Sequence, residues 1–212
     1  EYTDGVWRWK DVCKIDTPLP EGYPAPTPPG AIELKRYPSV RRAEVRSSVQ
    51  PDLGMNVGFW PLFNHIKRRD IAMTSPVEMD YKGMQPARKG ENGGAPATPP
   101  SEWAMAFLYR TADLGPTGTD GNVRILDSEP VTVLSIGMRG PYGMPLVQRG
   151  LAQLESWLEQ NPGWERAGDV RAFYYNGPEM PRARSWAEVQ VAVRERGEAD
   201  RGEAVSGQTE SE

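Results

Sequence analysis

One histidine occurs in the 212 residues, His65, within the run FWPLFNHIKRRDIAMTSPV from Phe59 to Val77. Imidazole is a general acid and base near neutral pH and a common ligand of iron. Three cations follow it, Lys67, Arg68 and Arg69, and Lys35, Arg36, Arg41, Arg42 and Arg46 crowd the preceding sequence. Such groups pair with carboxylates or phosphates through charge-assisted hydrogen bonds. Met55, Met73, Met79 and Met84 are deformable side chains suited to packing against a flat ring or filling a core. Two carboxylates on strand-like segments, Glu78 and Glu188, become candidate general bases if desolvation raises their pKa toward neutrality.

Several classes of chemistry are excluded. The chain has no His-Glu-x-x-His, no P-loop, no Gly-x-Gly-x-x-Gly after a strand and no nucleophile elbow. Gly137-Met138-Arg139-Gly140 lacks phosphate-cradling spacing and reads as a strand end. The single cysteine, Cys13, cannot form an internal disulfide and lacks the partners of a zinc site or of covalent haem attachment; it reads as an incidental thiol near a mobile terminus. Residues 197–212 hold five acids and one arginine, which accounts for the whole net charge of -4 and leaves the rest of the chain neutral. That balance provides no basic field for nucleic acid. No apolar run approaches the roughly 20 residues needed to span a bilayer, so the sequence reads as soluble. It starts at Glu1 rather than Met, which leaves room for a removed leader, and the compartment, exported, organellar or other, stays open.

The elements that must position these groups follow from periodicity. Residues 32–37 and 40–46 alternate apolar and charged side chains around Pro38 and read as two strands. Phe59, Leu62, Phe63 and Ile66 recur at helical spacing, with Gly54 and Gly58 upstream and Asp70 as the stop. A strand over 72–81, a polar loop over 83–101 and a strand over 103–110 complete a ββαββ unit. The second half repeats it: strands over 123–126 and 131–138, a helix over 144–159 with Val147, Leu151, Leu154 and Leu158 as its stripe, then strands over 170–175 and 186–193. Two such units, neither able to bury its own apolar face, predict one α+β domain with a twisted or barrel-like sheet and a cleft between the halves.

In that frame His65 lies about 110° from the centre of the first helix's apolar stripe, on the flank of Pro61 and Arg69. The geometry predicts a partly exposed boundary residue, bonded to a neighbour or ligating a metal. An apolar helix stripe rimmed by cations is also what a flat, apolar dianion such as haem requires. Its macrocycle needs desolvation, and its carboxylates need paired charge.

The runs IELKRYP, VRRAEVRS, LFNHI, DIAMTSPVEMDY, VTVLSIGMRGPYG and YYNGPEMPRARSWAEVQVAV resemble the SOUL haem-binding protein family over about residues 31–194. The most specific match is Met73-Thr74-Ser75-Pro76-Val77, supported by Tyr175-Asn176-Gly177-Pro178. The resemblance implies duplicated β-α-β-β units forming a distorted antiparallel barrel or sheet flanked by two helices, as in effector-binding domains. It also implies reversible, non-covalent binding of haem or another tetrapyrrole near the first helix, without catalytic machinery. The sequence departs from the family at His65, where relatives carry an aromatic residue, and in the short linker Lys67-Arg68-Arg69. The histidine ligand of some animal members has no counterpart in residues 38–58, which leaves His65 as the sole candidate iron ligand.

The expected haem site is therefore Phe59, Leu62, Phe63, His65, Lys67, Arg68, Arg69 and Met73, in a surface groove beside the first helix. Residues 1–30 read as a Pro-rich extension, 31–196 as the domain with a mobile loop at 83–101, and 197–212 as a disordered acidic tail. The protein is expected to buffer, carry or sense haem rather than to catalyse; its protein partners are unspecified. Two other readings stand beside this one: a module for a different small amphiphile in a cleft lined by Trp103, Tyr109 and Trp186, and hydrolysis there with Glu78 or Glu188 as base.

Overall fold

The computed structural model describes residues 1–49, 51–87 and 97–197, with side chains in the first helix from Val57 onward. The side chain of Met55, the centre of the 83–101 loop and the acidic tail after Gly197 lie outside what is described. Three short strands open the chain: β1 (Tyr2–Thr3), β2 (Val6–Trp9) and β3 (Cys13–Ile15). The main body follows as β4 (Ile32–Tyr37), β5 (Arg41–Ser47), α1 (Pro51–Arg68), β6 (Val77–Lys82) and β7 (Glu102–Leu108), then β8 (Gly118–Asp120), β9 (Val123–Asp127), β10 (Val131–Arg139), α2 (Met144–Gln160), β11 (Trp164–Tyr174) and β12 (Trp186–Glu195).

The last nine strands form one antiparallel sheet in the order β4-β10-β12-β11-β6-β7-β5-β9-β8. It is an open sheet, not a closed barrel, with β4 and β8 at its edges. The two ββαββ units are β4-β5-α1-β6-β7 and β9-β10-α2-β11-β12, joined through the pairing of β6 with β11. Each unit gives its first strand to the other: β4 pairs with β10, and β9 pairs with β5. Strand alternation then separates two faces. Ala43, Val45, Met79, Met105, Phe107, Leu134, Val189 and Val191 point toward both helices and meet Leu62 and Ile66 of α1 and Leu146, Leu151 and Leu154 of α2 in one core. Arg42, Glu44, Glu78, Asp80, Arg171, Phe173, Glu188 and Gln190 alternate with these residues and belong to the opposite face.

Local chemistry explains the element ends. Asp70 takes a positive φ of 53°, the amide of Ile71 bonds the carbonyl of Ile66 at 2.9 Å, and that of Asp70 reaches Lys67 at 3.4 Å. This is the double bond of a Schellman stop, closed by the apolar pair Ile66 and Ile71. The strand expected from residue 72 begins only at Val77. Pro76 carries no amide hydrogen with which to extend the ladder.

The first 30 residues depart most from expectation. The β1–β3 meander packs on the opposite face of the main sheet, where Cys13 and Ile15 are buried with Tyr37, Phe173, Tyr175 and Trp186. Cys13 is thus a core thiol, and burial raises its pKa. The segment after β3 continues across the sheet as a strap. Gly137 permits its passage, because a Cβ there would lie 2.1 Å from the carbonyl oxygen of Pro28. The rims of the 83–101 loop are fixed too: Met84 is buried, and Gln85 pairs with Thr98. No described helix is long and apolar enough to cross a membrane.

Candidate functional site

On the helix side, α1 rests on β5, β7 and β9 while α2 rests on β10, β11 and β12, so neither helix is centred over β6. Register places Val77 of β6 opposite both Phe107 of β7 and Tyr174 of β11. Phe59 packs edge-on to Phe107 at 5.3 Å, and Tyr142 stacks on Tyr174 at 4.3 Å. The row Phe59, Phe107, Val77, Tyr174, Tyr142 therefore crosses the seam between the helices. Phe107 and Tyr174 are its buried floor; Phe59, Phe63, Val77, Tyr142 and Met73 are only partly buried against the same core. Trp60 meets both Phe59 and Phe63 edge-on and is 58% exposed, and Val57 is 55% exposed. Large apolar side chains standing together in water mark a binding surface more often than scattered single ones do.

The structure places the expected haem residues in different surroundings. Phe59, Phe63 and Met73 contribute partly open apolar surface. Leu62 is fully buried and belongs to the core beneath. Lys67 continues the row of Phe59 and Phe63 at i+4 spacing, is exposed, and has no ion-pair partner among the described residues. Arg68 and Arg69 turn elsewhere: Arg68 Nη2 lies 2.9 Å and Arg69 Nε 3.6 Å from Oδ2 of Asp120, at the end of β8.

His65 corrects the boundary-residue expectation. It is 0% exposed, with Nδ1 2.7 Å from Asp120 Oδ2 and Nε2 2.8 Å from the hydroxyl of Tyr109. Helical angle alone put it at the edge of the stripe. The β8–β9 hairpin, which that angle ignores, closes over it. Both ring nitrogens face protein partners, so this arrangement leaves neither free for iron. Asp120 and Tyr109 complete a site-adjacent clamp that sequence reasoning missed, because Asp120 lies 55 residues away in a Gly-rich turn. The hydrogen bond from His65, with help from Arg68, holds the Asp120 carboxyl down at about 2. No group of three or more His, Cys, Asp or Glu capable of holding a metal occurs among the described residues.

The opposite face carries the carboxylates. Glu188 receives six donors: the Thr27 amide at 2.7 Å, Lys35 Nζ at 3.1 Å, the hydroxyls of Tyr37 at 3.3 Å, Ser135 at 2.6 Å and Tyr175 at 2.8 Å, and Gln190 Nε2 at 2.6 Å. Burial pushes its carboxyl up, but the Lys35 charge and these hydrogen bonds outweigh it and leave the pKa lowered. A fully saturated, acidic, sealed carboxylate has the wrong protonation behaviour and access for a general base. Glu78 is likewise buried, between Arg42 at 2.7 Å and Arg171 at 3.7 Å. The expected cleft of Trp103, Tyr109 and Trp186 does not assemble. Trp103 alternates in register with Met105 and Phe107 on the helix side and Tyr109 meets His65 there, whereas Trp186 sits on the opposite face beneath the strap, donating to the carbonyl of Thr27.

The same architecture occurs in solved structures of low sequence identity. The EcmrR C-terminal domain superposes with a TM-score of 0.60 at 16% identity, covering 78% of this chain and 98% of that one. A Listeria innocua protein described as a hydrolase gives 0.53 at 13% identity over 80% of this chain and 94% of its own. An uncharacterized conserved protein from Listeria innocua gives 0.54 at 13% identity, with 80% and 94% covered. At these identities the likeness establishes the fold, that of effector-binding-like domains, and nothing further. No curated protein sequence is significantly similar to this chain. The model of the family described as SOUL heme-binding protein matches residues 24–192, which hold the later part of the strap, both ββαββ units up to Ala192 in β12 and the aromatic seam, and the chain belongs to that family.

Proposed function

We propose that this protein binds haem or a related tetrapyrrole reversibly and without covalent attachment on the apolar seam beside α1. The observation that carries the reading is the half-open aromatic surface of Phe59, Trp60 and Phe63, with Lys67 next in the same helical row. A macrocycle laid on Phe59, Phe63 and Val77 is desolvated on one face, and Lys67 is placed to pair with a propionate. Arg68 and Arg69, already sharing Asp120 with His65, contribute less. Family membership supports the ligand class. The role is buffering, transport or sensing.

A binding mode without a protein ligand to iron has a direct test. Haem and iron-free protoporphyrin IX are titrated in parallel against the full chain, following the Soret band and quenching of tryptophan fluorescence. Both are expected to saturate, with Kd values within about threefold of each other, and Phe63→Ser weakens both about tenfold or more. No saturable change with either porphyrin overturns the proposal. Strong preference for haem, abolished by His65→Ala, overturns the ligand-free mode.

A further inference from the structure

The face of the sheet turned away from the helices holds a cavity of about 350 Å³. Ala104 of β7 and Val133 of β10 both line it. Those strands stand four places apart, about 19 Å on a flat sheet. The sheet therefore curls around the cavity. The strap fills the neighbouring part of this face, where Tyr23 packs on Tyr37 at 4.9 Å and Thr27 covers Glu188. Arg171 stands at the border, stacked over Tyr37 and Phe173 on one side and lining the cavity on the other.

The charged groups lining the cavity are unequally occupied. Each carboxylate is engaged: Asp80 accepts from Arg42 at 2.8 Å, Asp169 from the Gly83 amide at 2.9 Å, and Glu102 lies 3.7 Å from Arg46. The donors are in surplus. Lys82 is exposed with no ion-pair partner among the described residues, and the buried Nη2 of Arg171 has no hydrogen-bond partner. Arg171 is directly opposite Asp80 in the β6–β11 register, so Lys82, two residues along, is its diagonal neighbour on the same face. Burial, then the charge of Glu78, pushes the Asp80 carboxyl up against the opposing pull of Arg42 and Arg171. Val131, Val133 and Ala192 supply an apolar wall.

We infer that this cavity is a second binding site, separate from the porphyrin seam, for a small amphiphilic carboxylate. The acid group takes the free donors of Lys82 and Arg171, and a short hydrocarbon body lies on Val131, Val133 and Ala192. The volume is at the small end of ligand pockets, too small to enclose a porphyrin and suited to a body of a few carbons. Because the two sites lie on opposite faces of the sheet, this inference stands or falls independently of haem binding.

Hexanoate, hexanamide and hexylammonium have the same chain length and differ in charge. Titrated into the full chain by NMR, hexanoate is expected to give saturable shifts at Ala104, Val133, Arg171 and Ala192 and to bind tightest of the three. Lys82→Gln, a change at an exposed side chain that leaves the fold intact, weakens hexanoate about fivefold and hexanamide hardly at all. Hexylammonium binding as tightly as hexanoate overturns the inference, as does hexanoate affinity unchanged in Lys82→Gln. Absence of saturation at these residues up to about 20 mM also overturns it.

Discussion

Glu188 is the residue whose charge state the fold depends on most. Its nearest cation, Lys35, has a side chain 5% exposed, and Glu33, 3.7 Å from Lys35 and 42% exposed, is a weak substitute. Glu188→Gln keeps the shape but strands Lys35 in the interior, which costs about 3–5 kcal/mol, or about 6–20 °C in Tm for a chain of this size. The folded pKa of Glu188 is depressed, so its contribution is fully present above the ordinary value of 4.5 and is lost as pH falls through the folded value. Thermal melts of wild type and variant are therefore expected to differ widely at pH 7 and to converge in acid as pH falls through the depressed folded value of Glu188; equal melting at pH 7 would remove the argument. Part of the residue-level site was legible. Phe59 and Phe63 are partly buried and Lys67 is exposed along one helical row, where periodicity puts them, because one helix face is a local property. The surroundings of His65 and Glu188 were not legible, because what encloses them, Asp120 and Tyr109 in one case and the strap with Lys35 in the other, comes from distant sequence.

At the scale of elements, the meander of β1–β3 behaves as part of the core. Removing residues 1–17 takes the buried Cys13 and Ile15 and the partly buried Trp7, Trp9 and Val12 off the sheet, uncovers Tyr37, Phe173, Tyr175 and Trp186, and breaks the bonds of Arg184 to the carbonyls of Asp11 and Val12 at 2.9 Å. Loss of two fully buried side chains is worth about 4 kcal/mol, equivalent to a fall of about 8–16 °C in Tm. The truncated chain should keep its far-ultraviolet circular dichroism, since the main sheet starts at β4. An unchanged melting temperature would mean that the meander only rests on the surface. The long strands and both helices were readable from the sequence because each spans several periods. The meander was not, because runs of two to four residues carry too little alternation to outweigh the Gly and Pro around them. The start of α1 was hidden for another reason. Gly58 looks like a helix breaker, yet a Cβ there would meet Met105 and Trp103 at 3.1 Å, so close packing of α1 on β7 overrides helix propensity at that position.

The whole molecule is held together by exchange. The duplicated pattern in the sequence reads as two adjacent units, but a first strand paired within its own unit and one given to the other are indistinguishable by periodicity, and only the sheet order reveals the swap. β4 has β10 as its one neighbour in the sheet, and β5 has β9 on its outer side. A fragment of residues 1–114 would retain β5, α1, β6 and β7 but leave β4 unpaired, β5 open on one edge, β6 open on the other, and His65 without Asp120. Exposed strand edges of this kind are unstable in isolation. Residues 115–212 would fail for the mirror reason, since β9 loses β5 and both β10 and β11 lose their outer neighbours. Each fragment alone is therefore expected to give a collapsed amide spectrum without dispersion, while an equimolar mixture recovers the dispersed spectrum of the full chain. If either half folds alone with native dispersion, the exchanged strands are not what couples the units, and the β6–β11 junction would have to carry the cooperativity instead.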